Sequence, residues 1–322
     1  MTTTFRKLAI LAAVLPLSLA AMAQESAFPA GPVTLVVPFA AGGSSDVIAR
    51  AIAPALAKKW GKPVLIDNRT GGNTIIAASH VLNAAPDGHT IFYASYAWVT
   101  NQLLAANLPY APGAMSPVTL LGRYPLLLYV RADLPANSVA ELVAYAKKSA
   151  NRLNFANAGA GSSTHLAAAG FANAAGIEVT HVPYRSTAPA MQDLVGGQVD
   201  ALFEGLAFRS FAESRRVKAL FVGQPDALPD WPGLPTAKDA GLGRFSMGSW
   251  FGLLVPARTP PAVTDKISAD VAAAVRQPEI DAQLRKAGLI PQPMKPAEFA
   301  AFLDAERVKL KTVIERNRIT AE

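Results

Sequence analysis

The chain has 322 residues, 51% of them hydrophobic and 16% charged, and no cysteine. That composition excludes a disordered chain, a disulfide framework and any chemistry that needs a thiolate. The net charge of +7 comes from Lys and Arg scattered in runs no longer than two, which argues against a nucleic-acid interface and fits a mild long-range attraction for anionic solutes.

Arg6 and Lys7 precede an apolar run, residues 8 to 20 (LAILAAVLPLSLA), too short to span a bilayer comfortably. Ala21-Met22-Ala23 is a small-x-small cleavage site, so the start predicts an export signal cut after Ala23 rather than a membrane anchor. The mature chain is expected to begin at Gln24, without a lipidated Cys, in the periplasm. About 299 residues then remain, more than one core usually serves, and two domains are expected.

Short apolar runs alternate with helical patterns, which predicts an α/β protein with mostly parallel sheets. Strands are expected at 33–37, 64–67, 91–94, 126–130, 153–156, 178–182, 198–203, 217–222 and 251–255. The first helix carries Val47, Ile48, Ala51, Ile52, Ala55 and Leu56 as its apolar stripe, with Pro54 placed to kink it. Further helices are expected near 73–84, 138–150, 163–175 and 187–195. Towards the C-terminus Thr259 reads as an N-cap before Pro260 and Pro261, and Val263, Ile267, Val271 and Val275 repeat every four residues. Two more helices follow, at 278–287 ended by Gly288 and at 296–317 with the stripe Phe299, Phe302, Leu303, Leu310, Val313 and Ile314.

Three strand-to-helix turns stand out. Pro38 to Asp46 (PFAAGGSSD) has glycines that free backbone N–H groups ahead of a helix start, where the dipole favours an anion. Taken alone it is equally an ordinary turn capped by Ser44 or Ser45, with Asp46 favourable in the first helical turn. Asn157 to His165 (NAGAGSSTH) sets three hydroxyls at a helix start, more than one cap needs. His165 there is expected to stay neutral under the helix dipole, or to be purely structural. In His181 to Pro189 (HVPYRSTAP), Ser186 or Thr187 caps a helix, and Tyr184 either closes over a ligand or is a core aromatic.

Enzyme chemistry finds little support. Ser162 or Ser163 with His165 suggests a dyad, but the stretch GAGSS is not a nucleophile elbow and the His is wrongly spaced for a triad. Dinucleotide and Walker loops are missing, and His80, His89, His165 and His181 show no metal-ligand spacing. No catalytic residue, metal or cofactor is expected.

Several motifs together resemble the Bug-type receptors of tripartite tricarboxylate transporters: PFAAGGSSDVIAR (38–50), DNRTGG (67–72), APDGHT (85–90), LPYA (108–111), GSSTHL (161–166), VPYRSTAPAMQDLVGGQVD (182–200) and WFGLLVPA (250–257). The resemblance covers the mature chain. It implies a type II periplasmic-binding-protein fold, two α/β domains around a ligand cleft, with domain one formed by 24–124 and 246–322 and domain two by 125–245. It implies capture of a small organic carboxylate through two facing loops, carried onto Phe39, Ala40, Ala41, Gly42, Gly43 and Ser44, and onto Ser162, Ser163, Thr164 and His165. Asp46, Ser95, Tyr184 and Glu204 complete the candidate set. The expected partners are membrane permease subunits, or alternatively a sensor kinase, with the receptor itself a monomer. Asn68-Arg69-Thr70-Gly71 lacks the proline of the family's usual turn, His89 replaces a usual Tyr, and 204–216 (EGLAFRSFAESRR) departs from the pattern. Glu204 either contacts a ligand's amino or hydroxyl group or is a solvated strand-end acid.

Overall fold

The computed structural model describes residues 28–243, 245–317, 319 and 320. The expected export signal and its cleavage after Ala23 lie outside those residues. Among the described residues no helix is long and apolar enough to cross a membrane.

The chain builds two sheets. It opens with β1 (Val33–Val37), α1 (Ser44–Trp60), β2 (Val64–Asn68), α2 (Ile75–Leu82), β3 (Thr90–Ser95), α3 (Tyr96–Leu104) and β4 (Met115–Pro125). Then come β5 (Leu127–Arg131), α4 (Val139–Lys148), β6 (Leu153–Asn157), α5 (Ser163–Ala175), β7 (Val179–Pro183), α6 (Thr187–Val195), β8 (Ala201–Glu204), α7 (Arg209–Glu213) and β9 (Val217–Val222). It ends with β10 (Gly248–Pro256), α8 (Pro261–Val275), α9 (Pro278–Lys286), β11 (Ile290–Pro291) and α10 (Pro296–Asn317).

Sheet one has the order β11-β4-β10-β3-β1-β2 and sheet two β7-β6-β8-β5-β9. The expectation of mostly parallel sheets is corrected. β1 pairs parallel with β2 and β3, and β6 with β7 and β8, but β10, β4, β11, β5 and β9 pair antiparallel. Antiparallel strands enter because the chain passes from one sheet to the other at Leu126, between β4 and β5, and returns between β9 and β10.

Four elements were not foreseen: α3, β4, the short α7 and the two-residue β11. β4 carries Pro117, Gly122, Arg123 and Pro125, residues that disguise a strand. It forms because β10 pairs along its whole length, and Gly122 admits the backbone of Ile290 where a Cβ would collide with it. α3 (YAWVTNQLL) is rich in residues of weak helix propensity, and burial of Tyr96, Trp98 and Val99 overrides that preference. Smaller corrections follow. Pro260, not Thr259, is the N-cap of α8. Val47 lies 46% exposed, outside the stripe assigned to it. α1 runs on through Pro54, which sits on its exposed side. α2 begins only after a 3-10 turn at Gly72–Thr74, where Asn73 and Thr74 have φ of 46° and 78°.

The core fixes the helices that matter for the site. Ile48, Ile52 and Leu56 of α1 are fully buried, and Trp60 Nε1 donates to Asp270 Oδ2 in α8 at 2.8 Å. In sheet two Phe171 of α5 packs against Phe155, Phe203, Phe221 and Phe245 at centroid distances of 5.8 to 6.4 Å. Each such burial stabilises by about 1.5–3 kcal/mol, so α5 is held firmly on its sheet.

Candidate functional site

Four helices start at one cleft. Gly43, Ser95, Ser162 and Ser186, the N-cap residues of α1, α3, α5 and α6, all line it. The first two helices follow β1 and β3 of sheet one, the last two follow β6 and β7 of sheet two. The cleft therefore lies at the C-terminal ends of parallel strands, where open α/β sheets place ligands. Its depth is a small cavity of about 60 Å³, and a wider mouth of about 630 Å³ joins it at Phe39 and Ala158. Beside the mouth, Thr100 Oγ1 of α3 donates to Gly161 O at 2.7 Å, a bridge between the two sheets' layers. Gly161 has φ of +72° and faces Asn73 and Leu104 closely, so a side chain there would be strained and crowded.

A helix start carries unpaired N–H groups and a partial positive charge. Only α5 blunts its own: Ser162 Oγ accepts from His165 N at 3.2 Å. α1, α3 and α6 have no side-chain cap. Ser95 is 4% exposed, lines the cleft, and its Oγ has no hydrogen-bond partner. None of the residues lining the deep cleft is Lys, Arg or His. The site thus offers neutral donors and helix dipoles, a chemistry suited to an anion.

The candidates fall into two groups. Phe39, Gly43, Ser44, Ser95, Ser162, Ser163, Thr164 and Glu204 line the deep cleft. Ala40, Ala41, Gly42, Asp46, His165 and Tyr184 do not. Gly42 N donates to Asp46 Oδ2 at 3.0 Å, so that N–H is already used. Asp46 also accepts from Arg50 Nε at 2.9 Å and Asn68 Nδ2 at 3.0 Å. Burial alone would raise the Asp46 pKa, but Arg50, Gly42 and Asn68 outweigh it and hold the carboxyl below its usual range. Asp46 shapes the first loop from behind. His165 does the same for the second: its Nδ1 accepts from Gly161 N at 3.1 Å. Its pKa falls to about 4, chiefly through burial and then through the charge of His181. Tyr184 reaches only the mouth, where its hydroxyl donates to Asp193 at 2.6 Å.

Of the three adjacent hydroxyls, two are engaged internally. Ser162 caps α5, and Thr164 Oγ1 accepts from Ala158 N at 2.9 Å. Ser163, between them, lines the cleft without such a bond. Several lining residues lie outside the candidate set, among them Tyr96, Tyr124, Ser249 and Phe251. Tyr96 opens the unforeseen α3, and a Ser before an unrecognised helix gave no signal for it. Tyr124 closes the unforeseen β4, and its ring fits only because Gly205 has no Cβ to overlap it.

Two helix-covered sheets meeting at a cleft lined by helix starts are the architecture of a type II periplasmic binding protein. The sequence model described as tripartite tricarboxylate transporter family receptor matches residues 48–319, and the chain belongs to that family. A Rhodopseudomonas palustris protein solved with adipate is 32% identical, with a TM-score of 0.87 over 91% of this chain and 99% of its own. MatC from the same organism, solved with bound malate, is 34% identical, with a TM-score of 0.83 over 89% of this chain and 100% of its own. The periplasmic binding protein BugD is 30% identical, with a TM-score of 0.85 over 92% of this chain and 100% of its own. Protein BugT of Bordetella pertussis is 28% identical over 89% of this chain and 90% of its own.

Proposed function

We propose that this chain captures a small carboxylate in the cleft and presents it to the membrane permease subunits of a tripartite transporter. The observation that carries this is the convergence of four helix starts, three without a side-chain cap, on a cleft whose depth holds no basic side chain. Such a site binds a carboxylate through backbone N–H groups and hydroxyls, with Ser95 and Ser163 among them. The relatives solved with adipate and malate support the choice of a carboxylate. The chain acts after export and cleavage behind Ala23, as a periplasmic monomer. Its domains are 24–124 with 246–322, and 125–245, and closure of one on the other buries the ligand.

Binding rather than turnover is the reading for Ser162 and His165. The Ser162 hydroxyl meets the His165 backbone, and the imidazole Nδ1 is occupied by Gly161. The test is a thermal-shift screen of the purified protein over aliphatic, aromatic and amino-acid carboxylates. A ligand that binds only the folded state raises Tm with concentration by mass action. A folded protein whose Tm responds to no carboxylate, or one that converts the carboxylate it binds, would overturn the reading.

A further inference from the structure

The cleft proposed to take acids contains an acid of its own. Glu204 ends β8, is 2% exposed, and lines the deep cleft. Its Oε1 accepts from Gly205 N at 2.8 Å and from the Tyr124 hydroxyl at 2.5 Å. The Ser44 and Thr187 hydroxyls lie beside the carboxyl and favour its charged form. All of these partners are neutral, and no cation among the cleft's lining residues balances the charge. A plain carboxylate bound here would therefore face a second carboxylate in a water-poor space, where like charges repel far more strongly than in bulk water. The helix starts, at roughly half a unit of positive charge each, attract both carboxylates but do not remove the repulsion between them, and the start of α5 is already blunted by its Ser162 cap.

Resting on the carboxylate reading, we propose that Glu204 makes the cleft select carboxylates that also carry a proton donor, an ammonium or a hydroxyl, set against its side chain. The ligand's carboxylate then lies against the uncapped helix starts and Ser95, while the donor turns the Glu204 charge from a repulsion into a bond. Burial pushes the Glu204 carboxyl above its usual range. A plain carboxylate accordingly has another route into the cleft, in which Glu204 takes up a proton as the ligand binds. A donor-bearing ligand needs no such proton uptake, because it brings its own proton to the carboxylate.

Calorimetry on the purified protein decides the matter with two matched series: propionate, lactate and alanine, then succinate, malate and aspartate. Within the series that binds, the hydroxy or amino member is expected to bind at least about tenfold tighter than the plain acid, the effect of one good hydrogen bond to a charged group. The winner of the two names the donor. Glu204→Gln, which keeps the shape and replaces an acceptor oxygen with a donor, is expected to erase the margin and leave the plain acid bound no worse. A plain acid that binds as tightly as its substituted partners overturns the inference, and so does a margin that survives in Glu204→Gln. Titrations repeated in buffers of different ionisation enthalpy expose the protonation route. Proton uptake with equal affinity for the plain acid overturns the inference as well. All three results leave the carboxylate reading standing. Failure of every acid in both series to bind overturns the inference for acids of this size, and the carboxylate reading falls with it only if the thermal-shift screen over aliphatic, aromatic and amino-acid carboxylates is silent too.

Discussion

The Tyr124 hydroxyl lies 2.5 Å from Glu204 Oε1 and 2.8 Å from Ser44 Oγ. Tyr124 ends β4 in sheet one, Glu204 ends β8 in sheet two, and Ser44 opens α1. One buried phenol therefore joins the two sheets at the floor of the cleft. Burial and the neighbouring Glu204 charge both push its pKa upward, so it stays a donor at any physiological pH.

Removing that hydroxyl is expected to cost stability. In Tyr124→Phe the ring packing against Phe251 is retained, but Glu204 loses a donor inside a dry site. A hydrogen bond to a charged group contributes about 1.5–3 kcal/mol. Urea unfolding should show a loss of that order, with the slope of the transition unchanged. A midpoint equal to that of the native protein would show that the contact contributes nothing.

The hydroxyls of the second loop should separate by role. Ser163→Ala and Ser95→Ala are expected to weaken carboxylate binding by roughly 1.5–3 kcal/mol each while leaving the unfolding midpoint near its native value. Ser162→Ala should do more to stability, costing about 1 kcal/mol through the lost cap of α5. Paired calorimetry and thermal unfolding of the three variants check this. If Ser163→Ala destabilises while binding is unchanged, its assignment as a ligand contact is wrong.

The strands and helices that follow a simple period were readable in the sequence. VTLVV and VKALFV stand as β1 and β9, and the stripe of α10 buries Phe299, Leu303, Leu310 and Ile314 as expected. Glycine and hydroxyl turns before helices pointed to Gly43, Ser44 and Ser163 because helix starts leave a local chemical signature. Tyr124 and Phe251 leave none. They reach the cleft through the long-range pairing of β4 with β10, and nothing within either segment encodes that register. Asp46 and His165 show the converse. They adjoin the ligand loops in sequence, yet their side chains turn away to hold Gly42 and Gly161.

Asp46 should contribute stability that disappears in acid. Its folded pKa lies below the ordinary value of 3.8, so the unfolded chain takes up the proton first as pH falls. The contribution is complete well above 3.8 and is lost as pH drops through the lower folded value. Asp46→Asn removes it at every pH and is expected to flatten the acid limb of the stability curve below about pH 4. Denaturant unfolding from pH 6 to pH 2 on both proteins measures the difference. Parallel curves would mean that Asp46 is not held by Arg50 and Asn68 in solution.

His165 predicts a loss of stability in a milder window. Its pKa drops from the ordinary 6.5 to about 4, because burial disfavours the cation and His181 sits beside it at a centroid distance of 4.6 Å. The unfolded chain protonates this residue near pH 6.5, while the folded chain resists until about pH 4. Protonation therefore favours unfolding across that interval: the contribution is whole above pH 6.5, declines on acidification and levels off below pH 4. At about 1.4 kcal/mol per unit the loss amounts to roughly 3 kcal/mol. His165→Gln offers an amide oxygen to Gly161 N without titrating. Its baseline stability will differ from that of the native protein, so the diagnostic quantity is the slope. Between pH 6.5 and 4 the variant should lose one proton's worth of pH dependence. Equal slopes in the two proteins would place the His165 ring in water rather than packed behind the ligand loop.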